Sequence, residues 1–128
     1  MMSLMTETEE RKSMETHELH IGVDLHERES QVAVYETGGR LVEERRVPTP
    51  KLAEYIGSFS GVKHVGLESI GFIYPVYDQL VDAGFDVWVA NPNNIQQIAK
   101  TRIKHDKVDA RILGELLRAG FFPRSAGQ

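Results

Sequence analysis

Three absences narrow what this chain can be. It has no cysteine, so disulfide bonds and thiolate metal sites are excluded. It has no apolar run near the roughly 20 residues that a membrane-spanning helix needs, and its polar, acidic start lacks the apolar core of a signal peptide. With 41% hydrophobic residues among 128, it has enough apolar material for one domain with a core. We therefore expect a cytoplasmic protein with no membrane partner.

The charge balance argues mildly against nucleic-acid affinity for the chain as a whole, but not for its last part. The formal net charge is −4, yet residues 100–128 hold seven basic residues against three acidic ones. Such a segment can steer a phosphate backbone, or it can be the solvated face of an amphipathic helix. The residues that we predict to contact nucleic acid are Lys100, Arg102, Lys104, Lys107 and Arg111.

Hydrophobic periodicity predicts an ordered series of strands and helices after a disordered leader at residues 1–18. Strands are predicted at residues 19–25, 31–36, 40–47, 63–68 and 85–90. One helix is predicted to begin at Pro50 with Thr49 as its N-cap, and others at residues 73–83, 93–99 and from about Asp106 to Ala119. The core-facing helical residues are expected to be Leu52, Tyr55, Ile56, Phe59, Val76, Leu80, Val81, Ile112, Leu113, Leu116 and Leu117.

This order places three antiparallel strands before alternating helices and strands. It is the pattern of the ribonuclease-H-like (RuvC-like) fold, an α/β domain with a mixed five-stranded sheet and flanking helices. In that fold the first and fourth strands are neighbours. We therefore expect Asp24 and Glu68, which end these two strands, to lie side by side.

Two more acids, Asp106 and Asp109, lie three apart at the predicted start of the last helix, where they would share one face. Together with Asp24 and Glu68 they form a set of oxygen ligands that suits magnesium or manganese. Two such ions can activate a water or hydroxyl and stabilise a leaving oxygen at a phosphodiester. Each acid also has a simpler interpretation, as a turn residue, an ion-pair partner or a helix cap.

Other polar and aromatic residues have weaker claims to function. His26 follows Asp24 and is expected at the cleft edge, more as a hydrogen-bond partner than as a metal ligand. Asp86 is expected to be solvated, and Trp88 and Tyr74 to serve in packing rather than in base stacking.

The chain resembles the N-terminal domain of the DEDD insertion-sequence transposases, whose relatives include the pilin-gene invertase. The resemblance covers residues 19–123 and is specific in order and spacing. The matching stretches are Ile21–His26, Leu67–Gly71, Tyr74–Tyr77, Ala90–Pro92, Lys104–Arg111, Leu113 and Leu116–Gly120.

The resemblance implies a metal-dependent DNA transposase or recombinase domain with its catalytic and metal-binding residues at Asp24, Glu68, Asp106 and Asp109. It also implies DNA as partner, a homo-oligomer and, in some members, guidance by a structured RNA from the element. Full-length members carry a C-terminal domain with a catalytic serine. We expect residues 124–128 to be a linker or truncated end that precedes this domain, which would leave the chain incomplete alone.

Two alternatives stay open from the sequence. The chain can be a non-catalytic nucleic-acid-binding or assembly module in which the acids only support the fold. It can also be a nucleotide-binding domain of the actin and sugar-kinase type, which shares the core topology. That class needs glycine and serine or threonine after its first acid, whereas Asp24 is followed by Leu25, His26 and Glu27.

Overall fold

The computed structural model describes residues 17–68, 73–90 and 109–123. Its strands are β1 (Glu18–Asp24), β2 (Glu29–Glu36), β3 (Leu41–Pro48), β4 (Val62–Glu68) and β5 (Asp86–Val89). A short 3₁₀ turn at Thr49–Lys51 leads into helix α1 (Leu52–Gly57), and helices α2 (Ile73–Asp82) and α3 (Ala110–Ala119) follow β4 and β5. The predicted strands are all present, with ends that differ by at most two residues. The predicted helix at residues 93–99 lies outside the described residues.

The five strands form one mixed sheet in the order β3-β2-β1-β4-β5. The first three make an antiparallel meander, while β4 and β5 run parallel to β1. The predicted contact between the first and fourth strands is confirmed, because β1 and β4 pair along their whole length.

One face of the sheet carries the larger apolar core. Alternate residues of β1, among them Ile21 and Val23, point to this face, as the two-residue period of a strand requires. Helices α1 and α2 cover it through a set of buried side chains: Leu52, Ile56, Val76 and Leu80. Val81, predicted to face the core, is instead 42% exposed.

Helix α3 lies across the opposite face, where small residues let it pack close to the sheet. A Cβ atom on Gly22 of β1 would overlap the Ala110 carbonyl and the Gly114 amide of α3. Gly114 in turn lies against the Tyr35 ring, and Gly66 lies beneath the Phe122 ring. The helix holds this position through the predicted apolar residues Ile112, Leu113, Leu116 and Leu117, which are all buried.

No helix in the described parts of the chain is long and apolar enough to cross a membrane.

Candidate functional site

Asp24 and Glu68 meet at the carboxyl ends of two parallel strands. They are the last residues of β1 and β4, and they are register partners. The pairing continues beyond them, since the Leu25 amide donates to the Glu68 carbonyl at 3.1 Å. Both side chains point to the α3 face, because they follow Gly22 and Gly66 by two residues. The sequence-based prediction that these acids lie side by side is therefore confirmed.

Within the described residues, the two carboxyl groups have little compensating positive charge. Asp24 is buried, with 8% of its surface exposed, and Glu68 is partly buried. Burial raises the pKa of Glu68, and the charge of Asp24 raises it further, against a smaller opposing effect of His26. The His26 Nε2 atom lies 3.3 Å from Asp24 Oδ2, on a side chain that is 61% exposed. The pair thus holds negative charge that a bound cation would stabilise.

A buried hydroxyl pair holds the turn that carries His26. Ser30 and Thr49 are both buried, and their hydroxyl oxygens lie 2.7 Å apart. Thr49 donates to the His26 carbonyl at 2.5 Å, while the His26 amide donates to Ser30 at 3.4 Å. The prediction that Thr49 is an N-cap is wrong, because the cap residue of the 3₁₀ turn is Pro48 and no side chain caps it. Thr49 instead ties β3 to the turn beside Asp24.

Asp109 is the N-cap of α3. Its backbone is extended, with φ −112° and ψ −179°, and its Oδ1 accepts from the Ile112 amide at 3.1 Å. The prediction that this helix begins near Asp106 is thereby corrected, since the helix begins at Ala110. Asp109 therefore precedes the helix instead of lying within its first turn, and Asp106 lies outside the described residues.

A cleft of about 380 Å³ joins Asp24 to Asp109 on the α3 face. Its lining residues are Asp24, His26, Glu29, Gln31, Glu44, Arg46 and Asp109. Four of these are acids, against one arginine, so the cleft attracts cations and repels an unaided phosphate backbone. His26 lies at its edge, as the sequence predicted.

The described residues fit a divalent cation only in part. Across residues 17–68, 73–90 and 109–123, no three His, Asp or Glu side chains are grouped closely enough to hold a metal ion. Asp24 and Glu68 supply two adjacent oxygen donors, and Asp109 keeps one carboxylate oxygen outside its capping bond. Hard oxygen donors of this kind suit magnesium or manganese.

The predicted nucleic-acid contacts fall mostly on residues 100–107, so Lys100, Arg102, Lys104 and Lys107 lie outside the described residues. Arg111 is described, and it is held by Glu44 of β3, with its Nη2 at 2.6 Å and its Nε at 2.8 Å from Oε1. The hydrogen bond to Arg111 lowers the pKa of Glu44. Arg111 thus forms an ion pair that links α3 to β3.

Sequence reasoning missed four of the residues that line the cleft: Glu29, Gln31, Glu44 and Arg46. They lie on β2 and β3, outside the acidic motifs, and periodicity alone could not reveal which residues of the adjacent strands they lie opposite. The available signal was alternation: Glu44 and Arg46 are two apart in β3, so they share one face.

Among solved structures, RuvC of T. thermophilus in complex with a Holliday junction substrate matches with a TM-score of 0.50 and 15% identity, over 82% of this chain and 94% of that one. A ROK-family transcriptional regulator, homologous to the E. coli MLC protein, matches at 0.46 and 12%, over 67% of this chain and 31% of its own. The ROK hexokinase of Thermus thermophilus matches at 0.45 and 20%, over 69% and 38%. The chain thus spans about a third of the two ROK proteins. No curated protein sequence matches it.

The mixed sheet with its flanking helices, together with the RuvC likeness, defines a ribonuclease-H-like domain of RuvC type. A sequence model of the DEDD transposase family of IS110 type, described as transposase, matches residues 21–126. The chain belongs to that family.

Proposed function

We propose that this domain is the metal-dependent catalytic part of a DNA transposase or recombinase that acts on phosphodiesters. The observation that carries the proposal is the side-by-side placement of Asp24 and Glu68, where burial and mutual repulsion raise the pKa of Glu68. Two adjacent carboxylates repel each other and so destabilise the metal-free protein, whereas a bound cation would offset that repulsion.

In this proposal Asp24 and Glu68 hold the cation from the strand ends, and Asp109 adds its free carboxylate oxygen from the start of α3. Asp106 is the fourth proposed ligand and lies outside the described residues. His26 orients the Asp24 carboxylate from the exposed side of the cleft. Magnesium or manganese, held by these residues as two ions, would supply activation of a water or hydroxyl and charge neutralisation at the leaving oxygen.

Several finer features of the proposal are supported only by family membership. They are assembly as a homo-oligomer, guidance by an element-encoded RNA and dependence on a C-terminal serine-bearing domain.

The second candidate is a non-catalytic nucleic-acid-binding or assembly module. It is favoured by the capping bond of Asp109, which gives that acid a structural purpose. The actin and sugar-kinase alternative has less support, because the turn after β1 directs the His26 amide to Ser30 instead of leaving it free for a phosphate.

Thermal unfolding with magnesium or manganese tests the proposal. We expect either ion to raise the melting temperature of the wild type, since a ligand that binds only the folded state stabilises it. Asp24→Asn should abolish this rise, whereas Asp78→Asn, on the exposed surface of α2 behind the sheet, should leave it intact. A wild type that shows no metal-dependent rise would contradict the metal site.

Substitutions at Asp109 separate its two roles. Asp109→Ser keeps a side chain that can cap α3, so melting without metal should stay close to wild type while the metal-induced rise shrinks. Asp109→Ala should lose the cap as well, at a cost of about 1 kcal/mol. A full metal response in Asp109→Ser would remove Asp109 from the ligand set and favour the non-catalytic module.

A further inference from the structure

A row of four polar residues crosses the sheet at the level of the acid pair. Glu68 of β4 faces Asp24 of β1, Asp24 faces Gln31 of β2, and Gln31 faces Arg46 of β3. The register shift between β2 and β3 lies at Val34/Tyr35, away from this row. Because register partners point to the same side of a sheet, all four side chains rise on the α3 face.

The row sets a distance from the acids to Arg46. Neighbouring strands lie about 4.8 Å apart, so the Cα atom of Arg46 is about 10 Å from that of Asp24 and about 14 Å from that of Glu68. Asp24, Gln31 and Arg46 line one continuous cleft. A nucleic-acid strand whose scissile phosphate lies at Glu68 and Asp24 therefore passes Arg46 if it follows the cleft across β2.

Arg46 is free to bind an anion. It is exposed, and within the described part of the chain it forms no ion pair. The two nearby arginines are already engaged: Arg111 by Glu44, and Arg45 by Glu43 at 3.9 Å and by the Tyr55 ring at 5.9 Å. Of the residues that line the cleft in the described structure, Arg46 alone carries a permanent positive charge.

We propose that Arg46 binds a backbone phosphate of the DNA substrate, next to the one held at the acid pair. This inference rests on the proposed function, since the acid pair defines where the scissile phosphate lies. A guanidinium group matches phosphate oxygens in a bidentate geometry. In an otherwise acidic cleft, such a contact offsets the repulsion of the backbone and fixes its path over Gln31.

Arg45 provides a matched control for Arg46. The two neighbours carry the same charge and both are exposed, but alternation along β3 directs Arg45 to the opposite face, where it contacts Tyr55 of α1. Arg46→Gln and Arg45→Gln therefore change the net charge equally, and only one of them alters the cleft.

The experiment measures binding of a fluorescent DNA duplex by anisotropy over a series of salt concentrations. We expect Arg46→Gln to weaken binding about five- to tenfold at low salt and to reduce the slope of log K against log salt by about one. Arg46→Lys should restore most of the slope but only part of the affinity, because lysine keeps the charge and loses the bidentate geometry. Arg45→Gln should match the wild type.

Equal slopes for Arg46→Gln, Arg45→Gln and wild type would overturn the proposal, as would a wild type that binds no DNA, or one that binds only an RNA hairpin. The metal-dependent melting of Arg46→Gln identifies which claim has failed. A normal metal response with unchanged DNA binding refutes the Arg46 contact and leaves the metal site standing. Arg46-dependent binding without any metal response supports the contact and refutes the metal site.

Discussion

Carboxylate groups at the two ends of one face of the sheet have opposite electrostatic surroundings. At the amino ends of β1 and β4, His64 lies between two acids, with Nε2 at 2.6 Å from Glu18 and Nδ1 at 2.6 Å from Asp86 of β5. Four residues further along the same strands, about 13 Å away, Asp24 and Glu68 face each other, and within the described part of the chain His26 is the one basic side chain that pairs with either. We call these the histidine end and the acid end.

The directions of the pKa shifts express this difference. At the histidine end, burial acts to lower the pKa of His64, but the hydrogen bonds to Asp86 and Glu18 outweigh it and raise that pKa. The hydrogen bond from His64 lowers the pKa of Glu18 in return. At the acid end, burial and the neighbouring acid both raise the pKa of Glu68. The acids of the first cluster are paired with His64, whereas the two acids of the second repel each other, as the proposed cation site requires.

Asp86 shows that exposure alone does not describe an acid. It is exposed, as the sequence predicted, and it also accepts hydrogen bonds from the Trp88 indole at 2.8 Å and from His64. His20, beside them, stacks on the His64 ring at 5.0 Å, and its pKa is lowered by burial and by the charge of His64. Acids in strands are thus a signal of function only where their neighbours leave the charge uncompensated.

The largest loss of stability is expected from a substitution at Gly22, which lies on β1 between the two ends. Gly22→Ala places a methyl group against the Ala110 carbonyl and the Gly114 amide, so α3 must move away from β1. We expect a loss of about 3 kcal/mol, or a fall in melting temperature of about 10 °C. Circular-dichroism melting measures it.

Gly38→Ala serves as the control, because a Cβ atom at Gly38 meets nothing within 4 Å. An equal response to the two substitutions would show that close packing of α3 does not hold the two ends in place.

A smaller effect is expected at the histidine end. Because the pKa of folded His64 is raised, its protonation stabilises the wild type fully below the unfolded value of about 6.5. That contribution is lost as pH rises through the raised pKa. We expect His64→Gln to lower the melting temperature by about 2–4 °C at pH 6 and to flatten its decline above pH 6.5.

Melting curves between pH 5.5 and 8.5 test this expectation, with His26→Gln as the exposed-histidine control. A decline with pH that persists unchanged in His64→Gln would place its cause elsewhere.

The smallest effect is expected at the acid end and has the opposite sign. A raised pKa for Glu68 means that the metal-free wild type loses stability as pH rises from about 4.5 through the raised value. Glu68→Gln removes one of two repelling charges, so it should raise the metal-free melting temperature at pH 7 by about 2 °C. The same variant should lose its response to magnesium.

Glu54 lies on the solvent-facing side of α1. Glu54→Gln should therefore change neither the metal-free melting temperature nor the response to magnesium. A metal-free Glu68→Gln protein that melts below the wild type at pH 7 would show that Glu68 is stabilised by its surroundings, and the contrast between the two ends would fail.

Strand periodicity and strand order were enough to predict much of this molecule. The apolar runs at residues 19–25 and 63–68 predicted two buried strands, and the ribonuclease-H-like order made them neighbours, so the meeting of Asp24 and Glu68 followed. The start of the last helix was harder to predict. An acid at the N-cap and an acid one turn inside a helix look alike in sequence, and only backbone angles show that Asp109 is the cap.

The sequence by itself determined the elements, the face on which each strand residue lies and the family, because these depend on local periodicity and on motif order. Tertiary structure alone decided which charges are compensated. Glu44 holds Arg111, and His64 holds Glu18 and Asp86, whereas Arg46 forms no ion pair with any other described residue. These outcomes depend on lateral register between strands far apart in the chain, since electrostatic interactions act through space and are largely screened beyond about 8–10 Å at physiological salt.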